Sequence, residues 1–141
     1  MIELPIGLTL PAGYEFHHIG YATESIIREQ DFFAFLGYHQ EGENFVDSGQ
    51  GVEGCFLTGP GPRIELLKNL TGYETLTPWL NAGIKMYHIA YIVDNMEETL
   101  NWSRNQRTRI TVPPVKAAAF GGKRISFVMF RHGLMLEFIT K

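Results

Sequence analysis

A chain of 141 residues that is 45% hydrophobic, 13% aromatic and 19% charged has the composition of an ordered globular domain, long enough to bury a core without covalent staples. Its net charge of −3, with no stripe of Lys or Arg, argues against nucleic acid or an anionic membrane as a partner. The single cysteine, Cys55, excludes an internal disulfide and a cysteine-rich zinc site, and with no basic-then-apolar leader and no run near the roughly 20 apolar residues of a membrane span the chain reads as cytoplasmic.

Residues 1–13, punctuated by Pro5, Gly7, Pro11 and Gly13, read as a surface leader. From 16 to 22 "FHHIGYA" is apolar or small apart from its histidines, which is a strand pattern. In "TESIIREQDFFAFLG" Thr23 is the expected helix cap, and Gly37 is the stop. Between them Ile26, Ile27, Phe32, Phe33, Phe35 and Leu36 recur at helical spacing, to face the core or a partner. Three short strands follow at 38–47, 52–57 and 63–68, separated by "SGQG" and "TGPGP". A linker, 69–85, holds Thr77 and Pro78 as N-cap and first residue of a short helix. The pattern then begins again. A strand at 87–93 leads into a helix at about 95–105 and a strand near 109–112. A loop with Pro113-Pro114 and Gly121-Gly122 precedes strands at 124–130 and 134–139.

Both halves read βαβββ, so the chain is expected to be one domain over 1–141 built from module one, about 14–68, and module two, about 86–141. His18 and His88, each in the first strand of its module, are 70 positions apart; Glu65 and Glu137, each in the last, are 72 apart. Two imidazoles and two carboxylates on four different strands suit a divalent first-row metal that keeps open positions for water or substrate. Side chains alternate along a strand, so Glu65 shares its face with Leu67 while Ile64 and Leu66 point the other way, and Glu137 shares its face with Met135 and Ile139. A carboxylate set in "IELL" or "LMLEFI" is costly to bury without a cation, and its recurrence at equivalent positions points to one shared partner. His17 aligns with Tyr87 and is expected on the face opposite His18. His39 and His132 read as surface residues, and Cys55 as a small apolar side chain.

The runs "HHIGYA", "GQGVEGCFL", "RIELLKN", "TPWL" ahead of "YHIAYIVDNMEETL", "GGKRISF" and "LMLEFI" occur in this order from about Phe16 to Thr140. Together they resemble the vicinal oxygen chelate superfamily, the glyoxalase and bleomycin-resistance fold, and are most similar to its methylmalonyl-CoA epimerases. The resemblance implies an α+β fold in which two tandem βαβββ modules form an open barrel around one metal site. It implies His18, Glu65, His88 and Glu137 as ligands of one divalent ion, whether zinc, cobalt, nickel, manganese or iron. It further implies removal of a proton next to a chelated carbonyl of a small-molecule substrate, such as the acyl-CoA methylmalonyl-CoA, with Glu137 as one catalytic base, and a homodimer.

Two departures bear on that expectation. The epimerase pattern carries a glutamate immediately before "QGV", a second base, where this chain has Gly49; Asp47, two residues earlier, is the candidate substitute. The hairpin "MFRHGLML" is tighter than the epimerase turn. Lys123 and Arg124 stand either as acyl-CoA phosphate contacts or as a solvated basic turn, and both readings stay open. Lactoylglutathione lyase chemistry on a hemithioacetal would use the same four ligand types. A non-catalytic binding or resistance protein of the same fold is favoured by the missing glutamate and opposed by the intact ligand set.

Overall fold

The computed structural model describes residues 13–141, so the expected leader at 1–12 lies outside the described residues. In chain order the elements are β1 Tyr14–Ala22, α1 Ile26–Phe35, β2 His39–Asp47, β3 Val52–Thr58, β4 Ile64–Asn69, α2 Thr77–Ala82, β5 Met86–Val93, α3 Met96–Arg104, β6 Thr108–Lys116, β7 Arg124–Phe130 and β8 Met135–Thr140. A 3-10 turn at Ala118–Phe120 lies between β6 and β7. The fold is α+β: one eight-stranded sheet in the order β2-β3-β4-β1-β5-β8-β7-β6, open because β2 and β6 are edges that do not pair. β1 runs parallel to β4, β5 runs parallel to β8, and β1 pairs antiparallel with β5 to join the two halves. No helix among the described residues is long and apolar enough to cross a membrane.

Alternation on the central strands divides the core. Ile64 and Leu66 pack with Phe33 of α1, and Leu136 and Phe138 with Met96 and Leu100 of α3. Leu67, Met135 and Ile139 turn to the opposite, concave face, where they meet Val52, Leu76 and Phe127. Glu65 and Glu137 lie on that concave face with them, as the alternation expected.

Several local expectations are corrected. α1 is capped by Ser25, whose side chain accepts from the Arg28 N–H, and not by Thr23. Thr23 Oγ1 instead donates to Glu29 Oε1 across 3.2 Å. The apolar series of α1 also does not all enter the core. Phe33 is buried, at a gain of roughly 2–3 kcal/mol, while Ile27 and Phe35 are 73% and 87% exposed. Phe32 and Leu36 are exposed as well, because the buried stripe of α1 is narrow and includes the carboxylate of Glu29.

In α2 the cap is Leu76, with Thr77 and Pro78 in the first turn and no capping side chain; Asn69 Oδ1 accepts the Leu76 N–H instead. The expected Pro113-Pro114 loop is part of β6. An edge strand tolerates prolines on its unpaired side, and the β6–β7 register shifts between Ile110 and Val115 absorb them.

Candidate metal centre

Glu65, His18, His88 and Glu137 lie on β4, β1, β5 and β8, four adjacent strands at the middle of the sheet. The strand register builds the cluster from two rows: Glu65 and His88 flank Gly20 in one, His18 and Glu137 flank Ala90 in the other. Small residues between the donors let four side chains lean over the same point. All four are buried, at no more than 4% exposure.

Five donor separations are 3.1 Å for His18 Nε2 to His88 Nε2, 3.1 Å and 3.2 Å for His18 Nε2 to Glu65 Oε1 and Glu137 Oε1, and 3.6 Å and 3.2 Å for His88 Nε2 to the same two oxygens. Adjacent corners of an octahedron with bonds of about 2.1 Å are about 3 Å apart, so these separations fit four donors around one ion. Glu137 Oε1 supports the fit in a second way. It is buried with no hydrogen-bond partner although two imidazole nitrogens are 3.2 Å away, an orphaned acceptor that a cation would satisfy. Burial works against charge on His18, but Glu65 and Glu137 outweigh it and push the imidazole up to about 9.

His17 is a correction. β1 carries an irregularity between Phe16 and His18, and the extra residue of a bulge breaks the in-out alternation. The His17 ring therefore lies beside His18 and not on the opposite face, with the two Nδ1 atoms 2.8 Å apart. Burial, the His18 charge and Arg63 lower His17 to about 4, which keeps it neutral. A neutral His17 can accept from His18 Nδ1–H, the tautomer that leaves His18 Nε2 as a ligand lone pair. The Phe120 ring, carried by the 3-10 turn, stacks on His18 at 5.9 Å and meets His17 edge-on at 5.5 Å.

The carboxylates of Glu65 and Glu137 reach into a cavity of about 690 Å³. That size belongs to the range of small-molecule sites. Its walls are mainly apolar, among them Trp79, Tyr87, Phe120, Phe127 and Met135. Tyr87 was not singled out by sequence reasoning, although "YH" aligns with "HH" in the repeat. Burial and the two nearby carboxylates push its phenol well above the usual range, so it stays an O–H donor.

Asp47 and Gly49 also line the cavity, but the Asp47 carboxylate is fully engaged. Oδ1 accepts the Gln50 N–H at 3.0 Å, and Oδ2 accepts Gln50 Nε2 and the Ala118 N–H, each at 2.9 Å. It thereby ties the end of β2 to the 3-10 turn that carries Phe120, across the opening of the sheet. Lys123 and Arg124 are exposed and outside the cavity lining. His39 and His132 are exposed, and Cys55 is buried, accepting from Gln30 Nε2 at 3.5 Å.

Residues 17–127 match the model of the Glyoxalase/Bleomycin resistance protein/Dioxygenase superfamily. No curated protein matches the chain. Among solved structures, a hypothetical protein from Bacillus halodurans superposes with a TM-score of 0.76 at 27% identity, covering 91% of this chain and 94% of that one. Methylmalonyl-CoA epimerase from Mycobacterium tuberculosis gives 0.75 at 19% identity, covering 95% and 93%. A methylmalonyl-CoA epimerase variant from Streptomyces coelicolor, in complex with 2-nitronate-propionyl-CoA, gives 0.64 at 22% identity, covering 89% and 96%.

Proposed function

We propose that this chain, which belongs to the Glyoxalase/Bleomycin resistance protein/Dioxygenase superfamily, is an epimerase-like enzyme that removes and returns the proton next to a metal-chelated carbonyl of a small acyl-CoA such as methylmalonyl-CoA. The observation that carries this reading is the convergence of His18, Glu65, His88 and Glu137 at the inner end of one cavity. These four would hold one divalent ion, whose Lewis acidity stabilises the negative charge a carbonyl gains as its neighbouring proton leaves. Zinc, cobalt, nickel, manganese and iron all accept this donor set. The acyl-CoA ligand named for the Streptomyces coelicolor epimerase of the same fold supports the substrate class.

Glu137 is the base in this reading. Burial alone would protonate it, but the His18 and His88 imidazoles, each 3.2 Å from its Oε1, hold it below the usual carboxylate range, so it stays ionised. Tyr87 donates its O–H toward the substrate oxygens. Asp47 acts as a positioning residue: with both oxygens occupied by N–H donors it holds Gln50 and the Phe120 turn around the site. Gly49 offers no carboxylate. A proton removed by Glu137 therefore returns mainly on the face it left, and exchange with solvent outruns inversion.

The test is incubation of metal-loaded protein with methylmalonyl-CoA in deuterated water, following the C2 proton by NMR and configuration by coupled assay. Loss of the C2 proton faster than inversion is the expected result. Stoichiometric metal with no exchange above the protein-free rate overturns the acyl-CoA substrate. Asp47→Ala should slow exchange about tenfold or less; a fall near the 10²–10⁴-fold of a lost general base would make Asp47 a base instead.

A further inference from the structure

Arg109, near the start of β6, is the sole cationic side chain among the described residues that line the cavity, and no described carboxylate pairs with it. The strand register sets its place. Arg109 stands opposite Met129, Met129 opposite Met135, and Met135 opposite His88. Three inter-strand steps of roughly 4.8 Å put Arg109 roughly 14 Å from His88 along the sheet.

What lies between them is apolar. Met129 and Met135 form the strip, Phe127 and Val112 flank it, and all four line the cavity. Thr111 lines it too, but its hydroxyl is spent on Phe127 O at 3.3 Å and Met135 Sδ at 3.7 Å. Methionine side chains are flexible and polarizable, suited to a ring or a short chain laid against them. One end of the cavity thus holds the carboxylates of the His-Glu cluster, the other a guanidinium, with no charged side chain on the strip that joins them.

We infer that Arg109 and this strip select a substrate whose metal-binding head is joined through an apolar body to a second anionic group. The inference deepens the chelation reading above and rests on it. A carboxylate or phosphate at the far end would meet a planar donor fork suited to two parallel hydrogen bonds. An uncharged chain would gain only from the methionines, and a methyl substituent would reach neither.

Three inert probes separate these contributions in calorimetric titrations of cobalt(II)-loaded protein: methylmalonate, benzylmalonate and (4-carboxybenzyl)malonate. The ring is expected to tighten binding about tenfold over the methyl, and the added carboxylate about tenfold again, as one charge-assisted contact allows. Arg109→Gln should erase the second gain alone, leaving methylmalonate and benzylmalonate unchanged, and Arg109→Lys should restore part of it. The residue is exposed, so the variants should fold.

Equal affinity for all three probes, or an equal loss for all three in Arg109→Gln, overturns the inference, as does failure of every probe to bind. Metal-dependent binding of methylmalonate with no gain from the ring or its carboxylate leaves the chelation reading standing and removes this one. Arg109-dependent binding of the carboxybenzyl compound that persists undiminished without cobalt removes the metal-binding head, and so overturns both the chelation reading and this inference.

Discussion

The two rows that make the His-Glu cluster are copies of one pattern, donor, small residue, donor, yet they are supported differently. In one row the His88 ring rests directly on Gly20, where a methyl group would overlap it. In the other, Ala90 carries that methyl, β1 bulges, and His18 meets His17 through Nδ1. His88 Nδ1 is buried without a hydrogen-bond partner, and its ring is held by the edges of Tyr87 and Phe127 at 4.5 Å and 5.1 Å. Repetition brings the four donors together, but one imidazole is oriented by a hydrogen bond and the other by shape.

The sharpest way to break this comparison is to exchange the small residues. Gly20→Ala should displace His88 and take metal content from near one equivalent toward zero by elemental analysis, while Ala90→Gly should keep its metal and lose only about 0.5–1 kcal/mol in denaturant melts. A similarly large contrast is expected between the carboxylates. Both Glu65→Gln and Glu137→Gln should weaken metal binding, but in saturating metal only Glu137→Gln should still lack proton exchange, by 10²-fold or more.

A smaller effect tests the support of His18. His17→Phe makes the His18 row resemble the His88 row, with an aromatic residue before the histidine, and should weaken metal affinity about tenfold, the lower end of what lost outer-shell partners cost. Replacement without effect on a chelator titration would show that His18 needs no such partner.

The smallest contrast is between the helices. α1 buries Glu29, which accepts from Tyr21 Oη at 3.0 Å and from Thr23 Oγ1 and Lys85 Nζ at 3.2 Å each; α3 buries no carboxylate. Burial raises the Glu29 pKa, but those donors and the Lys85 charge outweigh it and lower it overall. A depressed folded-state pKa stabilises above the unfolded value of about 4.3, and that contribution is lost as pH falls through the folded value. Amide exchange below pH 4 should therefore open α1 before α3, and Glu29→Gln should remove the difference.

Much of this was legible in the chain itself. The repeated "HI" strands singled out His18 and His88, and two-residue alternation in the "IEL" and "LEF" strands set Glu65 on the face of Leu67 and Glu137 on that of Met135 and Ile139. The helix of the second half, expected at about 95–105, is found at Met96–Arg104, with Asn95 capping it through the Glu98 N–H. These are local features: a strand's alternation and a helix cap depend on residues within a turn or two of each other.

What the tertiary structure decided depends on neighbours distant in sequence. The bulge that swings His17 beside His18 is set by pairing with β5, and the place of Pro113-Pro114 by β6 having no outer partner. The exposure of Ile27 and Phe35 follows from how little of α1 the sheet covers. Asp47 lost its freedom to Ala118, 71 residues away, when the two edges of the open sheet approached each other. Arg109 acquired its place at the far end of the cavity through three strand registers in succession. Backbone hydrogen bonding fixes such registers only once the whole sheet has assembled, so the chain could declare the four clustered side chains while the folded sheet alone arranged what surrounds them.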